Sequence, residues 1–257
     1  MPILSTPAIL LRRIDYGDYD LIITLLTFDA GKISVIAKSA KKSIKRFSGV
    51  LELFSVLNVI YRTSQRKGLP VLQAAALKYP FQHIREDIKK TAYASYWTEL
   101  INQWLEEGVK QTRLYLLFQQ VLEKLDQGRL PEETLSILFQ MRFMKISGFY
   151  PNLKHCSVCR TGMEKMRRNR ITFDLVKGGL LCEKCTSESL NKRSLSKGTI
   201  KQLRWLESGD WAKAERIRFS LPAIQEGQEF LEAFVPYHLG KEPRSLKFLR
   251  RLRDDQC

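Results

Sequence analysis

CSVCRTGMEKMRRNRITFDLVKGGLLCEKC, residues 156–185, carries four of the chain's five cysteines as two CxxC pairs. Cys156 and Cys159 form the first pair and Cys182 and Cys185 the second, with 22 residues between. Three chemistries use cysteines in this way. Thioredoxin-type redox chemistry needs a CxxC at a helix N-terminus in a βαβ setting, and neither pair has one. A disulfide framework needs an oxidising compartment. The N-terminus shows no basic stretch followed by an apolar one, so the expected address is the cytosol, where thiols stay reduced. A metal is the third. Two CxxC turns offer four thiolates to one ion, and thiolate softness suits tetrahedral Zn²⁺. The segment between them, RRNRITFDLVKGGLLC, reads as a hairpin turning at Gly178-Gly179, the geometry of a zinc ribbon. The spacing therefore predicts one structural Zn²⁺ on Cys156, Cys159, Cys182 and Cys185. Catalytic zinc would need an open position, which four thiolates close, so His155 reads as a neighbour. Cys257 reads as a free thiol. A ribbon this small cannot bury a core alone, so the metal would supply folding free energy.

Upstream, residues 1–80 read as five short strands: 8–14, 21–28, 33–37, 51–62 and 68–77. Polar turns separate them, and short strands with such turns predict a small barrel or sandwich. Residues 81–145 read as helices. Ile84, Ile88, Ala92, Tyr96, Leu100 and Trp104 recur every four residues and predict one continuous apolar face. A second helix covers about 112–126. A third, 130–148, opens on Pro131 with two acids and ends at Gly148. Beyond the cysteines, 194–208 and 222–240 read as helices, the second disturbed by Gly227 and Pro236. Short connections favour a bundle. No apolar run approaches the roughly 20 residues of a membrane span.

The net charge is +16, unevenly spread. Residues 1–80 carry 12 Lys/Arg against 5 Asp/Glu, a net of +7; residues 81–150 carry 9 against 9; residues 151–257 carry 22 against 13, a net of +9. Two basic ends flank a neutral middle. Such a field concentrates polyanions and speeds their encounter. KSAKKSIKRFSG (38–49), between the third and fourth strands, holds Lys38, Lys41, Lys42, Lys45 and Arg46 and no acid. A cationic loop on a small barrel suits phosphate tracking. Tyr16, Tyr19 and Phe47 are candidates for stacking on bases, against core or rim packing. Lys165, Arg167, Arg168 and Arg170 lie between the cysteine pairs and read as projecting from the ribbon. The tail, GKEPRSLKFLRRLRDD, places cations beside Leu246, Leu249 and Leu252 on a helix. That stripe fits a nucleic-acid contact or a docking helix equally.

No catalytic constellation emerges. The chain has no P-loop and no GxGxxG. Its three histidines, His83, His155 and His238, lie in no nucleophile or metal motif. Glu132-Glu133 is explained by a helix N-terminus, where negative charge is favoured. A zinc-dependent nuclease or deaminase would need a metal-bound water, and the HxE…PCxxC pattern of deaminases is absent.

The pattern resembles the RecO family of bacterial recombination mediators over essentially the whole chain. AILLRRIDYGDYDLIITLLTFDAGKISVIAKSAKKSIKRFSGVLELFS is similar to the family's opening strands, turn and basic loop, with Ser39 where the family often has Gly. GLPVLQAAAL is similar to the last barrel strand, FQMRFMKISGFYPNLKHCSVC to the approach to the cysteines, and PYHLGKEPRSLKFL to the C-terminal region. The resemblance implies an α+β multidomain fold: an OB-fold nucleic-acid-binding domain at 1–80 and a helical domain beginning at 81–155. A four-cysteine ribbon is inserted at 156–190, and the helical domain ends with a basic tail at 191–257. It implies binding of single- and double-stranded DNA, annealing of complementary strands, and help in loading recombinase onto strands coated by single-strand-binding protein. RecR and that protein's acidic C-terminal tail are the implied protein partners. Neither a small-molecule substrate nor a membrane is implied, and the setting is cytoplasmic at the nucleoid. Lys38, Lys41, Lys42, Lys45 and Arg46 are the DNA residues carried over, with Arg168 and Arg170 of the ribbon beside them. The alternative is an RNA-binding OB and ribbon module without annealing activity.

Overall fold

Short apolar runs separated by polar turns build the first part of the chain. The computed structural model describes residues 2–43, 46–63, 68–186, 191–206, 216 and 218–255. Five strands come first: β1 (Ile3–Tyr16), β2 (Asp20–Thr27), β3 (Gly31–Ala37), β4 (Val56–Arg62) and β5 (Val71–Tyr79). β1 pairs antiparallel with β2 and β4, β2 with β3, and β4 with β5. A short parallel contact of Ile36 with Val71 joins β3 to β5. The order β1-β2-β3-β5-β4 thus returns to β1 as a closed barrel, the five-stranded Greek key of an OB-fold. Alternate residues of a strand face one side, and Leu21, Ile23, Leu25, Val35, Leu57 and Val59 fill the interior. The register of β1 against β2 shifts between Leu10 and Arg12. A bulge there bends the strand, which lets one long β1 pair with β4 early and β2 late.

Seven helices follow among the described residues: α1 (Gln82–Glu86), α2 (Ile88–Trp104), α3 (Thr112–Gln127), α4 (Glu132–Ile146), α5 (Lys197–Trp205), α6 (Leu221–Leu239) and α7 (Arg244–Asp254). The chain divides into two compact units. One is Met1–Gln127 with Pro243–Cys257, and the other is Gly128–Glu242. In the first, the single helix expected from Ile84 to Trp104 is two. Asp87 is extended, and its side chain accepts from the backbone N–H of Lys89 (2.8 Å) and Lys90 (3.0 Å). An aspartate at this position caps a new helix better than it continues an old one, and Ile88 is left exposed as a result. Gly31 has a φ of 69°, and a Cβ there would lie 1.9 Å from the Val109 carbonyl oxygen. The loop after α2 therefore lies directly on β3, where the Gly108 N–H donates to the Lys32 carbonyl at 2.9 Å.

In the second unit, β6 (Asn152–Cys156), β7 (Arg170–Asp174), β8 (Gly179–Leu181) and β9 (Lys192–Ser196) form a sheet in the order β6-β8-β7-β9. The expected hairpin is β7–β8. Residues 194–196, read from sequence as helix, belong instead to β9, and Ser196 caps α5 by accepting from Thr199 N–H at 3.1 Å. α6 runs unbroken through Gly227 and Pro236. Gly227 sits where a Cβ would meet Ile137 Cδ1 at 3.1 Å, so its smallness sets the approach of α6 to α4. Phe173 of β7 packs edge-on against Phe230 (4.7 Å) and Phe234 (5.4 Å) of α6. Each such buried aromatic pair adds about 0.5–1.5 kcal/mol beyond its area, so the ribbon sheet is anchored to a helix.

Candidate metal centre and nucleic-acid interface

The four cysteine sulfurs converge. Cys156 ends β6, Cys182 follows β8, and each opens a tight turn. Arg160 N–H donates to the Cys156 carbonyl at 3.1 Å, and Cys185 N–H donates to the Cys182 carbonyl at 3.0 Å. All four Sγ atoms lie within 4.8 Å of one another, with Cys159 and Cys182 3.5 Å apart. A tetrahedral ion with metal–sulfur bonds of about 2.3 Å needs sulfurs about 3.8 Å apart, which those distances bracket. All four are free thiols, in no disulfide. The four cysteines are thus close enough to hold a metal ion.

The thiols' electrostatics point the same way. Hydrogen bonds from the Thr161 hydroxyl and backbone pull Cys159 down to about 6. Burial raises Cys156, but backbone N–H groups of Cys159, Cys182 and Val158 outweigh it and leave it lowered. Cys185 is pushed up to about 12, first by Cys182 and then by Cys159. Four crowded sulfurs cannot all ionise alone, because like charges disfavour each other. A divalent cation removes that penalty. His155 lies outside the cluster, its Nδ1 3.1 Å from Asn152 Nδ2.

Asn152 is a residue that the sequence reading missed. Its side chain donates to the His155 carbonyl (3.1 Å) and Ser157 Oγ (3.3 Å), and accepts from Lys154 N–H (3.2 Å). It fastens the first turn onto the sheet. Gly179 serves the same joint: a Cβ would meet Ser157 Oγ at 2.1 Å. The signal for Asn152 was available, since Asn favours such local backbone bonds, but many asparagines satisfy it.

The basic loop connects β3 to β4 at the barrel's rim. Ala40 and Phe47 are buried in the barrel core, while Lys38, Lys41, Lys42 and Arg46 are exposed. Lys45 lies outside the described residues. Phe47 is therefore an anchor rather than a stacking platform; of the three aromatic candidates, Tyr16 and Tyr19 are exposed. The loop rests on the β1–β2 turn. Ser39 N–H donates to Asp20 Oδ1 at 2.7 Å, and Lys41 N–H to the Tyr19 carbonyl at 3.0 Å. Lys41 pairs with Asp15 at 3.0 Å, and Lys42 sits 3.4 Å over the Tyr19 ring. Arg46 Nη2 donates to the Lys38 carbonyl at 3.0 Å. These bonds hold the cations in one cluster.

Arg168 and Arg170 are exposed on the ribbon, in the other unit. Arg168 N–H donates to Glu183 Oε1 at 2.7 Å. The Arg170 guanidinium is engaged: Nη1 to Glu226 Oε1 at 2.7 Å, Nε to Ser194 Oγ at 3.0 Å and Nη2 to the Ser194 carbonyl at 3.1 Å. Glu226 also accepts from Ser196 N–H (2.9 Å) and the Thr199 hydroxyl (2.6 Å). Burial raises its carboxyl, but Thr199, Ser196 and Arg170 more than compensate and hold it below the usual range. Arg170 thus ties β7 and β9 to α6. Cys257 lies outside the described residues. No described helix is long and apolar enough to cross a membrane.

An OB barrel with a cationic rim loop and a four-cysteine cluster able to hold a metal ion, in one chain, define an α+β protein. Family models described as Recombination protein O N terminal and Recombination protein O C terminal match residues 1–81 and 85–247. DNA repair protein RecO of Desulfosudis oleivorans is 43% identical over 258 residues, 98% of this chain and 99% of that one. The protein of the same name from Desulfatibacillum aliphaticivorans is 44% identical over 254 residues, 98% of each chain. That from Syntrophus aciditrophicus is 32% identical over 251 residues, 97% and 96%. The chain belongs to the RecO family of DNA repair proteins, and its role lies in DNA repair and recombination.

Proposed function

We propose that the chain is a recombination mediator that binds single- and double-stranded DNA, anneals complementary strands and assists recombinase loading onto strands coated by single-strand-binding protein. The observation that carries this reading is the rim loop. Lys38, Lys41, Lys42 and Arg46 stand exposed on a backbone pinned to the barrel, and Lys45 lies in the same loop. The barrel domain, residues 1–80, is assigned to DNA, with the exposed Tyr16 offering a ring face to bases and Tyr19 the face that Lys42 does not cover. Arg168 and Arg170 on the ribbon are assigned to a second, weaker contact, Arg170 while keeping its pair with Glu226.

The mechanism is electrostatic. Strands that must meet repel through their phosphates. Cations at two surfaces hold two strands and lower that repulsion, so complementary bases come together. No covalent bond changes, so no catalytic residue is required. Zn²⁺ is the ion assigned to Cys156, Cys159, Cys182 and Cys185, on the softness of four thiolates, and its role is to fasten the ribbon. RecR and the acidic tail of single-strand-binding protein are the protein partners in this reading, and the cytoplasm at the nucleoid is its setting.

The test is annealing, without nucleotide, of complementary oligonucleotides coated with single-strand-binding protein, across a salt series. Annealing that weakens with salt is expected. Its absence with folded, metal-loaded protein would reduce the chain to a binding module. Competition between single-stranded DNA and structured RNA would then identify the nucleic acid.

A further inference from the structure

The tail helix carries a surface that the rim loop does not explain. α7 packs on α2 through Leu246 and Leu249, both fully buried. Glu99 of α2 pins its first turn, accepting from Arg244 N–H (3.1 Å), Ser245 N–H (2.8 Å) and the Ser245 hydroxyl. The helix is therefore held with one face fixed outward. That face is built at helical spacing: Arg244, Lys247, Phe248 and Arg251 stand at i, i+3, i+4 and i+7, and all four are exposed. At about 100° per residue they fall within one arc of roughly a quarter turn. Phe248 is 49% exposed, between cations before and after it. No acid stands between Arg244 and Arg253.

We infer that this face is a binding site for a single nucleic-acid strand, with Arg244, Lys247 and Arg251 on phosphates and Phe248 stacked against a base. The inference rests on the DNA-binding reading and adds a second, separate surface to it. What distinguishes this face is the combination at helical spacing, an exposed aromatic flanked on one face by three exposed cations and no acid. An aromatic among guanidinium and ammonium groups matches a strand that offers both negative charge and flat apolar rings. The dimensions agree. Seven residues separate Arg244 from Arg251, about 10 Å along a helix axis. That matches the reach of two or three neighbouring phosphates along one strand, about 6 Å apart.

The experiment uses the full chain and a fluorescent single-stranded oligonucleotide, with affinity read by anisotropy over a salt series. Phe248→Ala is expected to weaken binding about 5- to 150-fold, the range for one lost base–aromatic stack. Phe248→Tyr should restore it. Arg244→Ala with Arg251→Ala should lower the salt slope by about 1.4, two phosphate contacts at about 0.7 each. A strand of equal charge with abasic positions should bind the wild type no better than it binds Phe248→Ala. Wild-type affinity in Phe248→Ala or an unchanged slope would each overturn the site while leaving the rim loop standing, and equal binding of abasic and natural strands would overturn the stacking at Phe248 together with that at the barrel tyrosines. A wild-type chain that bound no strand would overturn both.

Discussion

Ser39 holds a left-handed backbone, with a φ of 54°. An L-residue spends about 1–2 kcal/mol there that glycine does not. Its N–H bond to Asp20 fixes the conformation, so the strain is a condition of seating the rim loop. Ser39→Gly should raise stability to denaturant by about 0.5–1 kcal/mol, because relief of strain exceeds the added freedom of the unfolded chain. A lowered midpoint would show that the Ser39 hydroxyl contributes more than its backbone costs. Glu226 makes a pH prediction. Its carboxyl is held below the ordinary range by Thr199, Ser196 and Arg170 against the opposing effect of burial. A depressed carboxyl contributes stability in full above its unfolded value, about 4.3, and loses it as pH falls through the folded one. Wild type should thus lose stability steeply below about pH 4.3. Glu226→Gln should be less stable at pH 7 and flatter across that window, measured by denaturant midpoints at each pH.

Among the elements, the ribbon joint shows what holds a sheet too small for its own core. β6, β8 and the two cysteine turns meet around the sulfurs, whereas β7 is also anchored to α6 through Phe173. Apparent binding energies of structural zinc in small peptides are about 10–16 kcal/mol, comparable with a whole domain's stability. A strong chelator should therefore release one zinc per chain. It should abolish hydrogen-exchange protection at 152–162 and 179–186 while sparing the barrel strands. Loss of barrel protection in step with the ribbon would refute that separation. The same joint marks the limit of reading from sequence. The cysteine spacing, the β7–β8 hairpin and the five barrel strands were legible, because short apolar runs between polar turns and metal-ligand spacing leave local traces. β6 and β9 were not, since each is a short strand completed only by distant partners. The break at Asp87 was hidden by a helical apolar period that continues across a capping residue. Phe47 sat among lysines in sequence, yet long-range packing places it inside the barrel.

At the scale of the whole molecule, charge and fold are partitioned separately. The +7 of residues 1–80 and the +9 of residues 151–257 bracket a segment with none. The tail's cations return to the unit that holds the barrel, while the ribbon's lie in the other unit. Binding one strand requires one surface; annealing requires two strands held at once. The two activities should therefore respond differently to the same damage. Replacing Lys38, Lys41, Lys42, Lys45 and Arg46 with Ala removes up to five phosphate contacts, so the single-strand salt slope should fall by up to about 3.5. Residual binding should persist through the remaining cations, but annealing should fall further than affinity does. The measurement is annealing rate at strand concentrations that saturate the variant. A rate restored by saturation would mean that the loop only recruits DNA. A rate that stays low would mean that the loop holds the second strand, which is the property that separates a mediator from a binding module.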